Sequence, residues 1–338
     1  MTSPLEDTES VTATPGARPA GAVDRQKSRS RAYWQALLQY GGSVVVLFLL
    51  FKFLPAKAVW AALRALPPML WIAAIGIYLG GHCVGIVKWR LMVNTAGAGL
   101  STRQAARCYF AGLFGSLFLP SLIGGDLVRA ALAMKLGKSK AAVLLGSFLD
   151  RGIDLAALAV LAASGAMLVP RALNERSRTI LGALGAVALV AVIVGAALVV
   201  LIPVKRFGFR IRRRLLRLRA AARSMVRRPQ VMLAALALAL IAQTIFILLN
   251  SRLAAVCGLA LAFRVWLFAW PLAKLSAALP ITQGGIGVRE AALAALLLPF
   301  GAPAALSVAA GLAWEAIVIS GALVAGALSL LLGQSDRA

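Results

Sequence analysis

Carboxylates are scarce in this chain: 11 Asp and Glu stand against 36 Lys and Arg in 338 residues, and charged residues make up only 14%. A soluble domain carries about a quarter charged residues. With 61% hydrophobic residues and a mean hydropathy of +0.87, an ordinary water-soluble fold is excluded. Cysteine is nearly absent too. Cys83, Cys108 and Cys257 are scattered through apolar surroundings without ligand spacing, which argues against a disulfide scaffold or a zinc module. The single histidine, His82, has no Cys, Asp or Glu at metal spacing, so packing is its expected role. There is no Gly-rich Lys-Ser/Thr loop for nucleotide phosphates, so ATP is not an obvious driver. No nucleophile–base constellation is visible. The expectation is therefore a non-enzyme, with no catalytic residue, metal or cofactor.

What the chain does have is long apolar runs, several beyond the roughly 18 residues that mark a transmembrane helix. It reads as an all-α polytopic membrane protein. The net charge of +25 suggests nucleic acid at first sight. Most of the basic residues, however, lie in loops between apolar spans, where the positive-inside rule puts them, and nucleic acid is rejected as a partner. The stretch 205–228 carries eleven Lys and Arg and no acid. Beside a bilayer, such a segment meets anionic lipid headgroups.

In chain order, residues 1–33 form a tail rich in small and polar residues, expected to be disordered and cytoplasmic. It contains no signal-peptide core, and no cleavage is expected. Arg25, Lys27, Arg29 and Arg31 hold the N-terminus inside. The membrane domain is placed at 34–333. Full spans are predicted at about 36–54, 69–93, 141–169, 179–202, 230–257 and 304–332, with an amphipathic interfacial stretch near 55–68. Lys88, Trp89 and Arg90 read as interfacial anchors closing the second span. Two interrupted units, near 103–136 and 263–299, consist of pieces too short to span securely. For the basic loop 205–228 to lie inside, the first unit must enter and leave on one side. Three full spans separate the units, so the second dips in from the opposite face. The result is about six full spans plus two re-entrant helical hairpins, eight hydropathy segments in all, in an inverted-repeat arrangement with both termini cytoplasmic. Eight plain spans fit the hydropathy as well.

The two units also share a motif. Leu-Pro-Ser-Leu-Ile-Gly-Gly-Asp-Leu-Val-Arg-Ala-Ala-Leu-Ala at 119–133 aligns without a gap on Leu-Pro-Ile-Thr-Gln-Gly-Gly-Ile-Gly-Val-Arg-Glu-Ala-Ala-Leu at 279–293. The shared residues include Pro120/Pro280, Gly124/Gly284, Gly125/Gly285 and Arg129/Arg289. Matched Gly/Pro-interrupted segments in two halves point to the binding site of a transporter.

Of the few acids, Asp126, Asp150, Asp154, Glu290 and Glu315 fall in or beside membrane segments. A carboxylate there costs roughly 2.5–3.5 kcal/mol on insertion scales unless paired or hydrated. Asp126 and Arg129, at i and i+3, form either a helix cap with an ion pair or, with the N–H groups of Gly124 and Gly125, a shelf for an anionic phosphate. In the second copy Gln283, Gly284, Gly285, Arg289 and Glu290 build a similar shelf from the opposite side. Ile286 stands where Asp126 was, so the two are not equivalent. Asp150, Arg151 and Asp154 lie within one turn, with Arg151 in reach of Asp154. The surplus negative charge is left for an arginine elsewhere, Arg129 above all. Glu315 is in position to serve Lys274 or Arg289. For each of these groups a structural ion pair competes with a transport role, and a proton relay is a third reading.

The run Tyr109-Phe110-Ala111-Gly112-Leu113-Phe114, followed by Phe118-Leu119-Pro120-Ser121 and Gly124-Gly125-Asp126-Leu127-Val128-Arg129, resembles the signature of the flippase-like transmembrane family, the membrane region of bacterial lysylphosphatidylglycerol synthases. Asp150-Arg151 and the second motif at 279–290 fit it as well. The resemblance spans about 35–332. It implies paired re-entrant elements in the bacterial inner (cytoplasmic) membrane that move lipids between leaflets. The chain ends shortly after its last predicted span, so the expectation is a stand-alone member without the aminoacyl-transferring domain of bifunctional relatives.

Three functions remain in view. The first is a flippase or transporter of a phospholipid, hopanoid-type or polyprenyl-linked lipid, with an anionic headgroup favoured by the arginines. The second is a non-transporting partner of a cell-envelope lipid synthesis complex, and the third an integral-membrane lipid-modifying enzyme. Homo-oligomerisation stays open.

Overall fold

The computed structural model describes residues 61, 64, 66–118, 124–169, 228–276 and 287–334. The tail 1–33, the spans predicted at 36–54 and 179–202, nearly all of the basic loop 205–228, Glu175, both Leu-Pro breaks, Gly284 and Gly285 lie outside the described residues. Within them the chain is helical, without strands.

Helix α1, Pro68–Thr95, starts at a proline, whose missing N–H costs nothing in the first turn. It stops where Gly97 takes a φ of +100°. Helix α2, Thr102–Gly115, opens with a capping box: Gln104 N–H donates to Ser101 Oγ at 3.2 Å, and Ser101 N–H donates to Gln104 Oε1 at 3.0 Å. Helix α3, Gly124–Leu136, carries Asp126 in its first turn. Ser139 caps α4, Lys140–Leu168. Helix α5 is Pro229–Val256 and α6 is Phe263–Ser276, with Pro271 inside it. Helix α7, Val288–Leu297, runs into a short 3₁₀ turn, Leu298–Phe300, before α8, Ala304–Gln334.

Helices α1, α5 and α8 are 28, 28 and 31 residues long and apolar enough to cross a membrane. At 1.5 Å per residue each exceeds the roughly 30 Å hydrocarbon thickness. Helix α4 is as long, at 29 residues, but carries Asp150, Arg151 and Asp154 in its first half. Ile72, Leu233, Leu323 and Leu330 point outward and are exposed, as expected where the surrounding solvent is lipid. Helix boundaries follow the sequence expectation to within a few residues, except that the first helix of the first interrupted unit ends at Gly115.

Helices α1, α4, α5 and α8 pack around the short elements: α1 lies against α5, α4 and α8, α2 against α3 and α8, and α6 against α4 and α7. Small residues allow these approaches, as in other membrane helix packings. A Cβ on Gly112 would sit 2.8 Å from the carbonyl oxygen of Gly125, and one on Gly125 would sit 2.6 Å from that of Gly112. The same crossing brings Gly125 onto Ser116 and Gly112 onto Arg129. Helices α2 and α3 therefore run antiparallel as a tight hairpin.

Candidate functional site

The glycine crossing places Asp126 and Arg129 of α3 next to α2, facing α1 and α4. The Arg129 guanidinium lies 4.9 Å from the ring centres of both Trp89 and Tyr109, a stacked position that a guanidinium fills better than an ammonium. It pairs with Asp126 at 3.0 Å and with Asp150 at 3.5 Å. Arg151 does not turn back to Asp154 along its own helix. It pairs with Asp126 across to α3, because an exposed arginine at the helix edge gains a second-helix carboxylate there.

Lys88 corrects the sequence reading most. It is no interfacial anchor: it and Trp89 are 2% and 0% exposed, and α1 continues for nearly two further turns. Its ammonium lies 2.7 Å from both Asp150 Oδ1 and Asp154 Oδ1, at the point where a cation bridging the two carboxylates would lie. Arg129 reaches Asp150, as the charge count required, but Lys88 supplies most of the compensation. Lys88, Arg129 and Arg151 thus balance Asp126, Asp150 and Asp154. The available signal was weak: a lysine inside a predicted span, masked by Trp89 and Arg90 beside it.

The second unit balances its charge differently. Arg289 donates to Glu290 Oε1 at 2.6 Å and to Glu315 Oε2 of α8 at 2.8 Å. Glu290, fully buried, also accepts the Gly287 N–H at 2.6 Å through Oε2. Gly287 has a φ of +87°, so this cap needs glycine. Gly311 of α8 makes room for the glutamate: a Cβ there would lie 2.7 Å from Glu290 Cγ. Of the two partners the sequence allowed Glu315, the structure selects Arg289. Lys274 instead donates to Gln243 Oε1 at 2.9 Å and stands 5.3 Å from the Phe246 ring centre.

Both units face one cavity of ≈ 250 Å³. Gly125, Asp126 and Arg129 line it from the first unit, Arg151 and Asp154 from α4, and Lys274 and Arg289 from the second unit. Tyr78, His82, Tyr109, Phe246 and Trp314 form the aromatic part of its wall. His82 Nδ1 is 3.4 Å from the Tyr109 hydroxyl, and its ring meets Tyr78 edge-on at 4.5 Å. Gly124, Asp150, Glu290 and Glu315 do not line the cavity; the three acids among them hold its cations from behind. Gly124 is buried in the first turn of α3, and Gly125 is engaged in the crossing with α2. Lys88, His82 and Lys274 are site-forming residues outside the sequence motifs, and Tyr109 opens the family signature without having been given a role there.

The cavity is smaller than the 300–1,000 Å³ of drug-sized pockets. It suits a small polar group, surrounded by charge in a bundle whose outer faces are apolar. No curated protein gives a significant match to the chain. The family model of the lysylphosphatidylglycerol synthase TM region matches residues 36–326, and the chain, an integral membrane protein, belongs to that family.

Proposed function

We propose that this protein moves a lipid between the leaflets of the bacterial inner membrane, holding the headgroup in the cavity between its two motif units while the acyl chains stay in the bilayer. The observation that carries this reading is the convergence of both units on one charged cavity inside a membrane-length bundle. Binding sites at the interface of repeated, interrupted segments are the hallmark of secondary transporters. In this reading the units are re-entrant hairpins of opposite orientation, both termini are cytoplasmic, and the basic loop 205–228 gathers anionic lipid at the inner face. We read the protein as a transporter rather than an enzyme because its buried carboxylates are engaged by Lys88, Arg129, Arg151 and Arg289. None of them is left as a poised acid–base pair.

The test is a leaflet-translocation assay in proteoliposomes with phospholipid, hopanoid-type and polyprenyl-linked probes, beside Arg129→Ala and Arg289→Ala. Each variant is first checked for folding by thermal unfolding. Headgroup-dependent translocation by the wild type, lost in folded variants of both units, is the expected result. Absence of translocation for every lipid by folded wild-type protein would favour a scaffolding role in an envelope-synthesis complex, and product formed from lipid by the purified protein would favour an enzyme.

A further inference from the structure

A second hollow, a groove of ≈ 490 Å³, runs between α1 and α5 and shares no lining residue with the motif cavity. Ala74 and Leu249, 0% and 4% exposed, form its floor, and the exposed Ile77, Leu248 and Val256 form its walls. Every residue lining it is apolar except Arg252. Arg252 is exposed, and among the described residues it makes no ion pair, hydrogen bond or ring contact. The motif arginines, by contrast, are all held by carboxylates.

The bilayer gives this groove a depth. Helix α5 has 28 residues, about 42 Å at 1.5 Å each. Centred on the roughly 30 Å of hydrocarbon, it overhangs by about 6 Å at each end. Arg252 comes four residues before Val256, the last of α5, about 6 Å from that end. The guanidinium stem therefore starts at the hydrocarbon boundary, where lipid phosphates begin. From Val256 to Ile245 the groove runs about 16 Å, close to the roughly 15 Å depth of one leaflet.

We propose that this groove binds one phospholipid of net negative charge, its phosphate on Arg252 and an acyl chain lying between α1 and α5. A guanidinium takes two phosphate oxygens in a bidentate fork, and no carboxylate competes for this one. An interfacial arginine above a flat helix face attracts anionic lipid without holding a chain. Here an apolar slot of one leaflet's depth lies directly beneath it, and its floor and both walls supply dispersion contacts to the chain. The negative charge follows from Arg252 being the groove's one polar side chain: a zwitterionic headgroup already carries an ammonium beside its phosphate. This site is separate from the transport cavity and stands or falls without it.

The test puts the photo-crosslinking residue p-benzoylphenylalanine in place of Leu248 in the full chain. The protein is held in nanodiscs of equal phosphatidylglycerol and phosphatidylcholine, and adducts are identified by mass spectrometry. Phosphatidylglycerol adducts are expected in about fivefold excess, the value of one basic residue near an anionic leaflet. Arg252→Gln should reduce the ratio to that of the bilayer. Ala255→Phe, which fills the groove from an exposed position on its lining, should lower both adducts. Each variant is first checked for folding by thermal unfolding, and if the Leu248 probe does not fold, the same probe at Ile77 on the facing wall replaces it. Adducts in bilayer proportions without further substitution overturn the site, as does an excess that folded Arg252→Gln retains. A yield undiminished in folded Ala255→Phe overturns the acyl slot. Crosslinks to a second copy, or to the predicted span 36–54, in place of lipid overturn the lipid as occupant.

Discussion

The two motif units hold equivalent arginines by unlike means. In the first, Arg129 takes one carboxylate from its own helix, Asp126, and a second from α4, Asp150, and lies beside Trp89 and Tyr109. In the second, Arg289 takes the adjacent Glu290 and then Glu315 from α8, and Glu290 is tied at the same time to the Gly287 backbone. The repeated element is the break and the arginine; the acid is recruited from whichever neighbour can reach. In a medium that penalises unpaired charge, pairing is compulsory, but the position of the partner is free. The first unit spreads its charge over three helices and leaves Asp126 one-quarter exposed at the cavity wall. The second encloses Glu290 completely.

This contrast predicts unequal responses to losing the acid. Glu290→Ala removes a buried carboxylate that serves both Arg289 and a helix cap, and should cost about 3–5 kcal/mol, read as a large drop in thermal unfolding temperature in detergent. A loss no greater than that of Asp126→Ala would erase the distinction between the units. Next in size is Gly125→Val, which drives a branched side chain into the Gly112 backbone and should cost about 1–3 kcal/mol by overpacking. Because the crossing sets the position of Arg129, the same variant should lose transport even where the protein still accumulates. Asp126→Ala leaves Arg129 its Asp150 partner and both aromatic rings, so about 1 kcal/mol is expected. Its clearer signature is loss of the α3–α4 link through Arg151, read as faster backbone amide exchange in the first turn of α3. Smallest is Arg129→Lys, which keeps the charge and gives up the stacking between Trp89 and Tyr109. It should cost about 0.5–1 kcal/mol, and a stability equal to wild type would show that the rings contribute only shape.

Much of the fold was legible because helix ends in membranes are written locally. Pro68, Ser101, Ser139 and Pro229 mark starts where they were expected, and α1, α4, α5 and α8 follow the apolar runs. The site was legible in part. Asp126 with Arg129 follows from helical spacing and Asp150 with Arg129 from charge balance, whereas Glu315 stood open between Lys274 and Arg289 until the fold placed it on Arg289. The lysines were not legible. Lys88 beside Trp89 and Arg90 looks like any snorkelling belt at a span end, and only the packing of α1 on α4 shows it buried between two aspartates. Lys274, one of several basic residues near a span end, becomes distinctive only when its neighbour proves to be an amide.

The sequence alone determined that the chain is a helical membrane protein, that it contains one interrupted motif twice, and that a handful of acids must be paired. Composition, periodicity and the cost of charge in hydrocarbon need no third dimension. Tertiary structure alone decided that Lys88 bridges Asp150 and Asp154, that Arg151 crosses to Asp126, that Glu315 meets Arg289, that both units line a single cavity, and that one lysine there is left to an amide. These depend on helices distant in sequence meeting at glycine crossings, and helical spacing constrains partners only within a helix.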